Sequence, residues 1–315
     1  MKVGFDSRAG KDPSGVGRYA RCLLAALRED EFGEIVETHD PRPRKVDIYH
    51  SPWLDGALPR CPVPMVVTLQ DVIPLKRRGE FLRSGLRFKL RYLAAQRAVR
   101  VIVPTRSVAD DAMRALQIPA ERLVVIGEAA APALHPRSED EVAAVRKRYS
   151  LPESYLLWVG GLRSPDPRKR VQALAKAKRS MPLVLVGEAG PWAHELPDVT
   201  LTDQVSDDDL AAIYTGAHAL VFASDDVGFG LSPVEALACG TPVAACDVPA
   251  VREVLEGRVE LRAVDDLEGL IRAAEESSRP APDPITWTWT DAAAATRAVY
   301  EEAAAAPKRW RGGKR

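Results

Sequence analysis

Short runs of apolar, β-branched residues alternate along this chain with stretches of helical periodicity. Runs at 2–6, 46–50, 65–69, 99–103 and 122–126 predict strands. After a break, so do those at 155–159, 182–186, 199–201, 218–222 and 242–246. Strands that are apolar along their length, such as Met65-Val-Val-Thr-Leu69, suit a parallel sheet covered by helices on both faces. The strand–helix rhythm runs twice, which predicts an α/β protein of two doubly wound halves. The break falls at Pro132-Ala-Leu-His-Pro136, followed by a charged helical stretch at 138–149. Domains are therefore expected at 1–150 and 151–285.

The final stretch has a different character. Pro280-Ala-Pro-Asp-Pro284 reads as a linker, and a helix over 286–306 carries Trp287, Trp289, Val299 and Tyr300. Such a helix needs an apolar surface, and it is expected to pack back across the domain junction. Residues 307–315 form a basic tail.

Length and charge narrow the class. A chain of 315 residues exceeds what one hydrophobic core commonly organises, in agreement with two domains. Its 44 basic residues balance 44 acidic ones, which argues against a nucleic-acid partner. No run of about 18 apolar residues is present, and the first residues lack the apolar stretch of a secretion signal. Cys22, Cys61, Cys239 and Cys246 show no CxxC spacing and suggest neither a zinc site nor a disulfide framework. The chain reads as cytoplasmic.

Three segments carry candidate chemistry. Gly15-Val-Gly17-Arg18-Tyr19-Ala20 opens a helix, and Glu37 follows about twenty residues on. This matches a dinucleotide fingerprint except that Arg8 to Ser14 separate it from the preceding strand. A phosphate at the helix start, a nicotinamide cofactor and a plain loop all remain open readings. The second segment, Gly160-Gly161-Leu-Arg163 through Arg168-Lys169, puts two glycines and three cations at a helix start. Cations there oppose the helix dipole, so a bound anion explains them better than a solvated surface. The third is Ser224-Asp-Asp-Val227-Gly228-Phe229-Gly230-Leu231-Ser-Pro-Val-Glu235, ending at Gly240-Thr-Pro-Val243. Here a glycine loop feeds a helix whose first amides face a diphosphate, with Glu235 one turn in to accept ribose hydroxyls; the plainer reading is a first-turn carboxylate favoured by the dipole.

Other features are weaker. Asp207-Asp-Asp209 after Ser206 reads as a capped helix start over 207–215 rather than a metal site. His50, His194 and His218 lack partners at metal-ligand spacing, and His50 is expected to line the acceptor side of a cleft. Within 80–97, Leu82, Leu86 and Leu90 form one stripe and Arg83, Arg87 and Arg91 the next. This helix either contacts anionic lipid headgroups or turns its leucines to the core.

Together these segments resemble the retaining GT-B glycosyltransferases of family 4. The resemblance extends to Asp47-Ile-Tyr-His50-Ser-Pro52, Val67-Thr-Leu-Gln70-Asp71, Val101-Ile-Val-Pro-Thr-Arg-Ser107 and the terminal Trp289 to Tyr300. It implies two Rossmann-like domains facing a cleft, the second holding a GDP-, UDP- or dTDP-linked sugar. It implies Arg163 and Lys169 as diphosphate cations, Arg168 as a third, and Glu235 on the ribose. Gly228, Phe229, Gly230 and Leu231 would frame the donor, and Gly15 and Gly17 would close over its phosphates. His50 and Asp71 would face a glycan, lipid-linked or natural-product acceptor. The resemblance further implies transfer of a hexose or deoxyhexose with retention, without metal or cofactor. On its lipid-facing reading, the basic helix over 80–97 places the protein peripherally at the inner membrane face.

Two positions depart from the family pattern. Val227 stands where the first Glu of a Glu-x7-Glu motif is usual, and Gln70 stands where His is usual. Gln hydrogen-bonds but does not titrate. Two expectations follow: an altered donor sugar with Gln70 beside the leaving group, or a catalytically silent partner subunit that binds nucleotide sugar or glycan.

Overall fold

The computed structural model describes residues 1–29, 33–40, 42–76 and 86–306, with side chains described from residue 89 in the last segment. The strands are β1 (Lys2–Phe5), β2 (Glu34–Glu37), β3 (Ile48–Ser51), β4 (Met65–Thr68), β5 (Arg100–Val103) and β6 (Leu123–Val125), then β7 (Leu156–Val159), β8 (Leu183–Val186), β9 (Val199–Leu201), β10 (Ala219–Phe222), β11 (Val243–Cys246) and β12 (Glu260–Arg262). The helices are α1 (Gly15–Arg28), α2 (Ile73–Lys76), α3 (Leu86–Ala95), α4 (Arg106–Leu116), α5 (Glu139–Arg148) and α6 (Val171–Lys176). They continue with α7 (Asp207–Gly216), α8 (Leu231–Ala238), α9 (Pro249–Leu255), α10 (Leu267–Glu275) and α11 (Trp289–Ala305).

All pairings within the two six-stranded sheets are parallel. The first runs β2-β1-β3-β4-β5-β6 and the second β12-β11-β10-β7-β8-β9. Counted from its own first strand, the second sheet has the 3-2-1-4-5-6 order of dinucleotide-binding Rossmann domains. In such a sheet the strand order reverses at one point, and ligands settle beyond the carboxyl ends of the two strands there. That point lies between β7 and β10 in the second sheet and between β1 and β3 in the first.

Central strands are buried along their whole length, as in β4, β8, β10 and β11. The two strands missing from the sequence reading, β2 and β12, are both sheet edges. Their sequences, Glu-Ile-Val-Glu and Glu-Leu-Arg, carry charges that blunt an edge and also erase the apolar run used to find strands.

The chain divides at Glu128/Ala129 rather than at 150, and Trp287 onward rejoins the first unit. Helix α5 therefore belongs to the second unit. Ser138 caps it in a reciprocal box with Glu141, and Arg148 and Tyr149 reach Asp209 of α7 at 2.6 and 2.8 Å. The break at Pro132–Pro136 lies at the start of the second unit, three to seven residues past Ala129.

Helix α11 likewise lies within the first unit, against α1, β3 and β4. Trp289, Ala292, Ala293, Thr296, Val299, Tyr300 and Ala303 form its buried stripe at helical spacing. Trp287 precedes the helix and stays exposed, donating from Nε1 to the Gly127 carbonyl at 3.0 Å. The basic tail 307–315 lies outside the described residues.

Candidate functional site

Three loops leave the carboxyl ends of neighbouring strands in the second sheet, and hydrogen bonds tie them together. After β7 comes Gly160 to Lys169, and after β10 comes Ala223 to Gly230. Asp225 donates its backbone N–H to the Arg168 carbonyl at 2.9 Å. Ser232 Oγ, in the first turn of α8, donates to the Val159 carbonyl at 3.2 Å. The third loop follows β8. Leu162 N–H donates to the Glu188 carbonyl at 3.2 Å, and Gly190 N–H returns a bond to Leu162 at 3.0 Å.

These ties fix the three cations. Asp166 caps a short 3-10 turn at Pro167–Lys169 and grips Arg168 through Nε and Nη2 at 3.0 and 2.7 Å. Burial acts to raise the Asp166 pKa, but its bonds from Arg168 outweigh that and hold it below the usual carboxylate range. Arg163 is held by Glu188, with contacts of 3.1 Å from Nε and 2.5 Å from Nη2. Lys169 differs: its described hydrogen bond goes from Nζ to the Gly161 carbonyl at 3.2 Å, not to a carboxylate. Burial pushes its ammonium below the ordinary lysine range, with Asp166 opposing and Arg168 assisting. A partly buried ammonium beside two glycines and a second cation favours an incoming anion.

Helix α8 completes the arrangement. Its cap, Gly230, has φ of +98°, a left-handed conformation that costs a residue with a Cβ. The first helix amides, Leu231 among them, have no partner within the helix by geometry and carry its positive dipole end. Gly228, Phe229 and Gly230 are themselves buried, so Phe229 serves as a core anchor for the loop. Val227 and Asp226 are half-buried on the same loop. Glu235, expected to accept ribose hydroxyls, is 3% exposed and accepts a hydrogen bond from the Tyr214 hydroxyl at 3.0 Å.

The first-unit candidates separate into different roles. Gly15 is exposed at the start of α1. Gly17 is buried, and a Cβ there would lie 1.8 Å from the Asp12 carbonyl oxygen, so its place is set by packing of the preceding loop. His50, expected to line a cleft, is instead fully buried. Its Nδ1 lies 2.6 Å from the Tyr300 hydroxyl and its Nε2 3.0 Å from Thr68 Oγ1, which also meets Tyr19 at 2.9 Å. Burial lowers its pKa to about 3, so this histidine is a neutral core group. Gln70 is half-buried, and its Nε2 is buried without a hydrogen bond among the described residues. Asp71 accepts from Ile73 N–H at 3.0 Å at the start of α2.

Two further expectations concern surface elements. Ser206 caps α7, and Asp208 and Asp209 pair with Arg137 and Arg148. Among the described residues no group of three His, Cys, Asp or Glu is placed to hold a metal ion. On α3, Leu90 and Leu93 are exposed at 47% and 52%, so Leu90 does not face the core, while Arg91 pairs with Asp55. Leu82 and Arg83 lie outside the described residues, as do the side chains of Leu86 and Arg87. No described helix is long and apolar enough to cross a membrane.

Residues 153–278 match the family profile described as "Glycosyl transferases group 1", and residues 19–129 match "Glycosyltransferase Family 4". Two such domains follow one another in this order, each a parallel sheet with helices on its faces. The chain carries two glycosyltransferase-type domains on Rossmann-like sheets.

The chain is 28% identical over 235 residues to the O-antigen chain mannosyltransferase RfbU of Salmonella typhimurium, covering 70% of this chain and 62% of the relative. It is 25% identical over 255 residues to the serotype-specific mannosyltransferase WbdA of Escherichia coli, covering 72% of this chain and 31% of the relative. The chain thus spans about a third of WbdA and less than two thirds of RfbU. In fold it resembles HepE of Anabaena, solved with UDP and glucose, with a TM-score of 0.68, 17% identity and coverage of 96% and 95% of the two chains.

Several partners of the candidate site residues were not legible in the sequence. Asp166, Glu188 and Tyr214 each hold a candidate residue in place. The run Val186-Gly-Glu-Ala-Gly190, a glycine-flanked carboxylate directly after a strand, was the available signal for Glu188.

Proposed function

We propose that the chain transfers a hexose or deoxyhexose from a nucleoside diphosphate sugar to an acceptor hydroxyl with retention of anomeric configuration. The observation that carries this reading is the pair of bonds from Asp225 to Arg168 and from Ser232 to Val159, which hold the cation loop beside the start of α8. A diphosphate there meets Lys169, Arg163 and the amides of Gly230 and Leu231, with Arg168 adding charge from behind Asp166. Glu235, oriented by Tyr214, is the proposed ribose ligand.

The chemistry asked of these residues is stabilisation of a departing diphosphate. Fixed cations and amides aimed at charge that develops during bond breaking lower the barrier without a strong side-chain base. In this proposal a donor phosphate oxygen takes the acceptor proton as the new glycosidic bond forms on the face the diphosphate leaves. Gln70, whose buried Nε2 has no partner among the described residues, is the proposed hydrogen-bonding residue of the first unit in catalysis, and Asp71 is proposed to serve the acceptor. No metal or organic cofactor is invoked. The mannosyltransferase relatives and the UDP and glucose of HepE support a nucleotide-sugar donor.

The acceptor class proposed is a glycan, lipid-linked or natural-product hydroxyl bound by the first unit. Exposed Leu90 and Leu93 on α3, beside Lys89 and Arg97, support peripheral contact with an anionic membrane face.

Calorimetric titration of GDP, UDP and dTDP, followed by product detection with their sugar derivatives, tests the proposal. Binding of one nucleotide that is lost in Lys169→Ala, together with turnover, is the expected result. Binding without turnover across a donor and acceptor panel supports a silent subunit instead, and failure of all three nucleotides to bind at millimolar concentration overturns both.

A further inference from the structure

The reversal point of the first sheet carries a device that repeats the one described in the second. Asp6 follows β1 as Asp166 follows β7 in the next loop, and each caps a 3-10 turn. Each accepts from the backbone N–H, Nε and Nη2 of the arginine two residues on. For Asp6 and Arg8 these distances are 3.2, 2.8 and 2.7 Å. The first-unit version is the more heavily built. Asp6 is fully buried and also meets the Tyr49 hydroxyl at 3.2 Å and Trp53 Nε1 at 3.1 Å. Burial acts to raise its pKa, but hydrogen bonds from Arg8 and Trp53 prevail, and Asp6 stays an anion.

The arginine is not enclosed with its partner. Its side chain is 41% exposed while that of Asp6 is at 0%. Nε and Nη2 face the carboxylate, which fixes the plane of the guanidinium while part of the side chain remains open to solvent. A guanidinium locked along one edge offers its other end with little rotamer entropy left to lose, as preorganised phosphate sites require. The surrounding stretch from Asp6 to Arg21 holds Arg8, Lys11, Arg18 and Arg21 against Asp6 and Asp12. Close approach of the 51–56 loop keeps the cradle shut on its inner side, since a Cβ on Gly56 would lie 2.1 Å from Asp6 Oδ2.

We propose that Arg8, positioned by Asp6, Tyr49 and Trp53, is a second anion site, and that it takes a phosphate group on the acceptor. Its assignment to the acceptor rests on the transferase reading; the anion site itself does not. A phosphate monoester from a soluble acceptor and one on a lipid share this chemistry.

The test is calorimetric titration of glycerol 3-phosphate into the full chain carrying Lys169→Ala, which removes the proposed donor cation, and into the same protein with Arg8→Gln added. Retained binding in the first and a loss of about tenfold or more in the second are expected, because a charge-assisted bond disappears. Equal affinity in the two proteins, or no binding by the first, overturns the proposal. Hydrogen exchange on protein unaltered at Arg8 covers the case in which Arg8→Gln does not fold. Glycerol 3-phosphate should slow exchange in the 7–12 segment, and unchanged exchange there counts against the site. Vesicles containing phosphatidic acid, run in parallel, distinguish a lipid-borne phosphate from a soluble one by whether Arg8→Gln releases the protein from them. Failure of the donor reading shows separately, as UDP binding indifferent to Lys169→Ala.

Discussion

Ser232 Oγ reaches back 3.2 Å to the Val159 carbonyl, so the first turn of α8 is fastened to the end of the strand that precedes the cation loop. Asp225 makes the second fastening, 2.9 Å to Arg168. These two bonds join segments 73 and 57 residues apart in sequence at the reversal of strand order, where the diphosphate is proposed to bind. The joined segments bring together a helix start, an ammonium hydrogen-bonded to a carbonyl, and two guanidinium groups paired with carboxylates.

Gly230 holds φ of +98° at the α8 cap. Gly230→Ala is predicted to cost about 1–3 kcal/mol of stability through backbone strain and to weaken UDP binding as the helix start shifts. Thermal unfolding and calorimetry on the same preparation check both effects, and an unaltered melting temperature contradicts the first.

Arg163 and Glu188 form an exposed pair, with side chains 68% and 38% accessible. Such a pair contributes on the order of 0–1 kcal/mol to folding. Glu188→Gln should therefore leave unfolding nearly unchanged. It should tighten nucleoside diphosphate binding, because the diphosphate no longer competes with a carboxylate for Arg163. Weaker binding in this variant is inconsistent with Arg163 as a diphosphate ligand released from Glu188.

Tyr214→Phe removes the hydroxyl that donates to buried Glu235. The stability loss expected is about 1–3 kcal/mol, the cost of an under-satisfied buried carboxylate. UDP affinity should fall while inorganic pyrophosphate affinity holds, since pyrophosphate has no ribose. A parallel loss for both ligands contradicts the role given to Glu235.

Lys169 binds an anion only while protonated, and burial lowers its pKa from the ordinary lysine value. Affinity for UDP is therefore full below that lowered pKa and declines as pH rises through it, at a lower pH than an unperturbed lysine dictates. Lys169→Arg should extend binding to higher pH. Calorimetry across the alkaline range measures this, and coincident profiles for the two proteins would refute it.

His50 has the opposite kind of significance, for folding. Its folded pKa of about 3 lies below the unfolded value near 6.5, so its contribution is complete above the latter. Stability is lost as pH falls from about 6.5 toward about 3, because the unfolded chain binds a proton that the fold excludes. His50→Gln should flatten this limb of the stability–pH curve, as followed by denaturant unfolding.

The double α/β rhythm was legible in the sequence because buried parallel strands are apolar along their whole length, as Met65–Thr68 and Leu183–Val186 are. Edge strands β2 and β12 were not, since one or both of their faces meet water and their ends carry charge. Glycines and cations at the start of helices were readable locally. The carboxylates and hydroxyls that position them were not, because Glu188 is 25 residues from Arg163 and Tyr214 is 21 from Glu235. His50 illustrates the reverse error: a polar residue at a strand end suggested an open site, yet Tyr300, some 250 residues away, closes over it.

The most direct measurement is a crystal structure of the protein grown with UDP or a UDP-sugar. The diphosphate should lie within hydrogen-bond distance of Lys169 Nζ and of the Gly230 or Leu231 amide, with Arg163 turned from Glu188 toward it. A diphosphate seated instead on the start of α1 at Gly15, with Lys169 still bonded only to Gly161, would contradict the account.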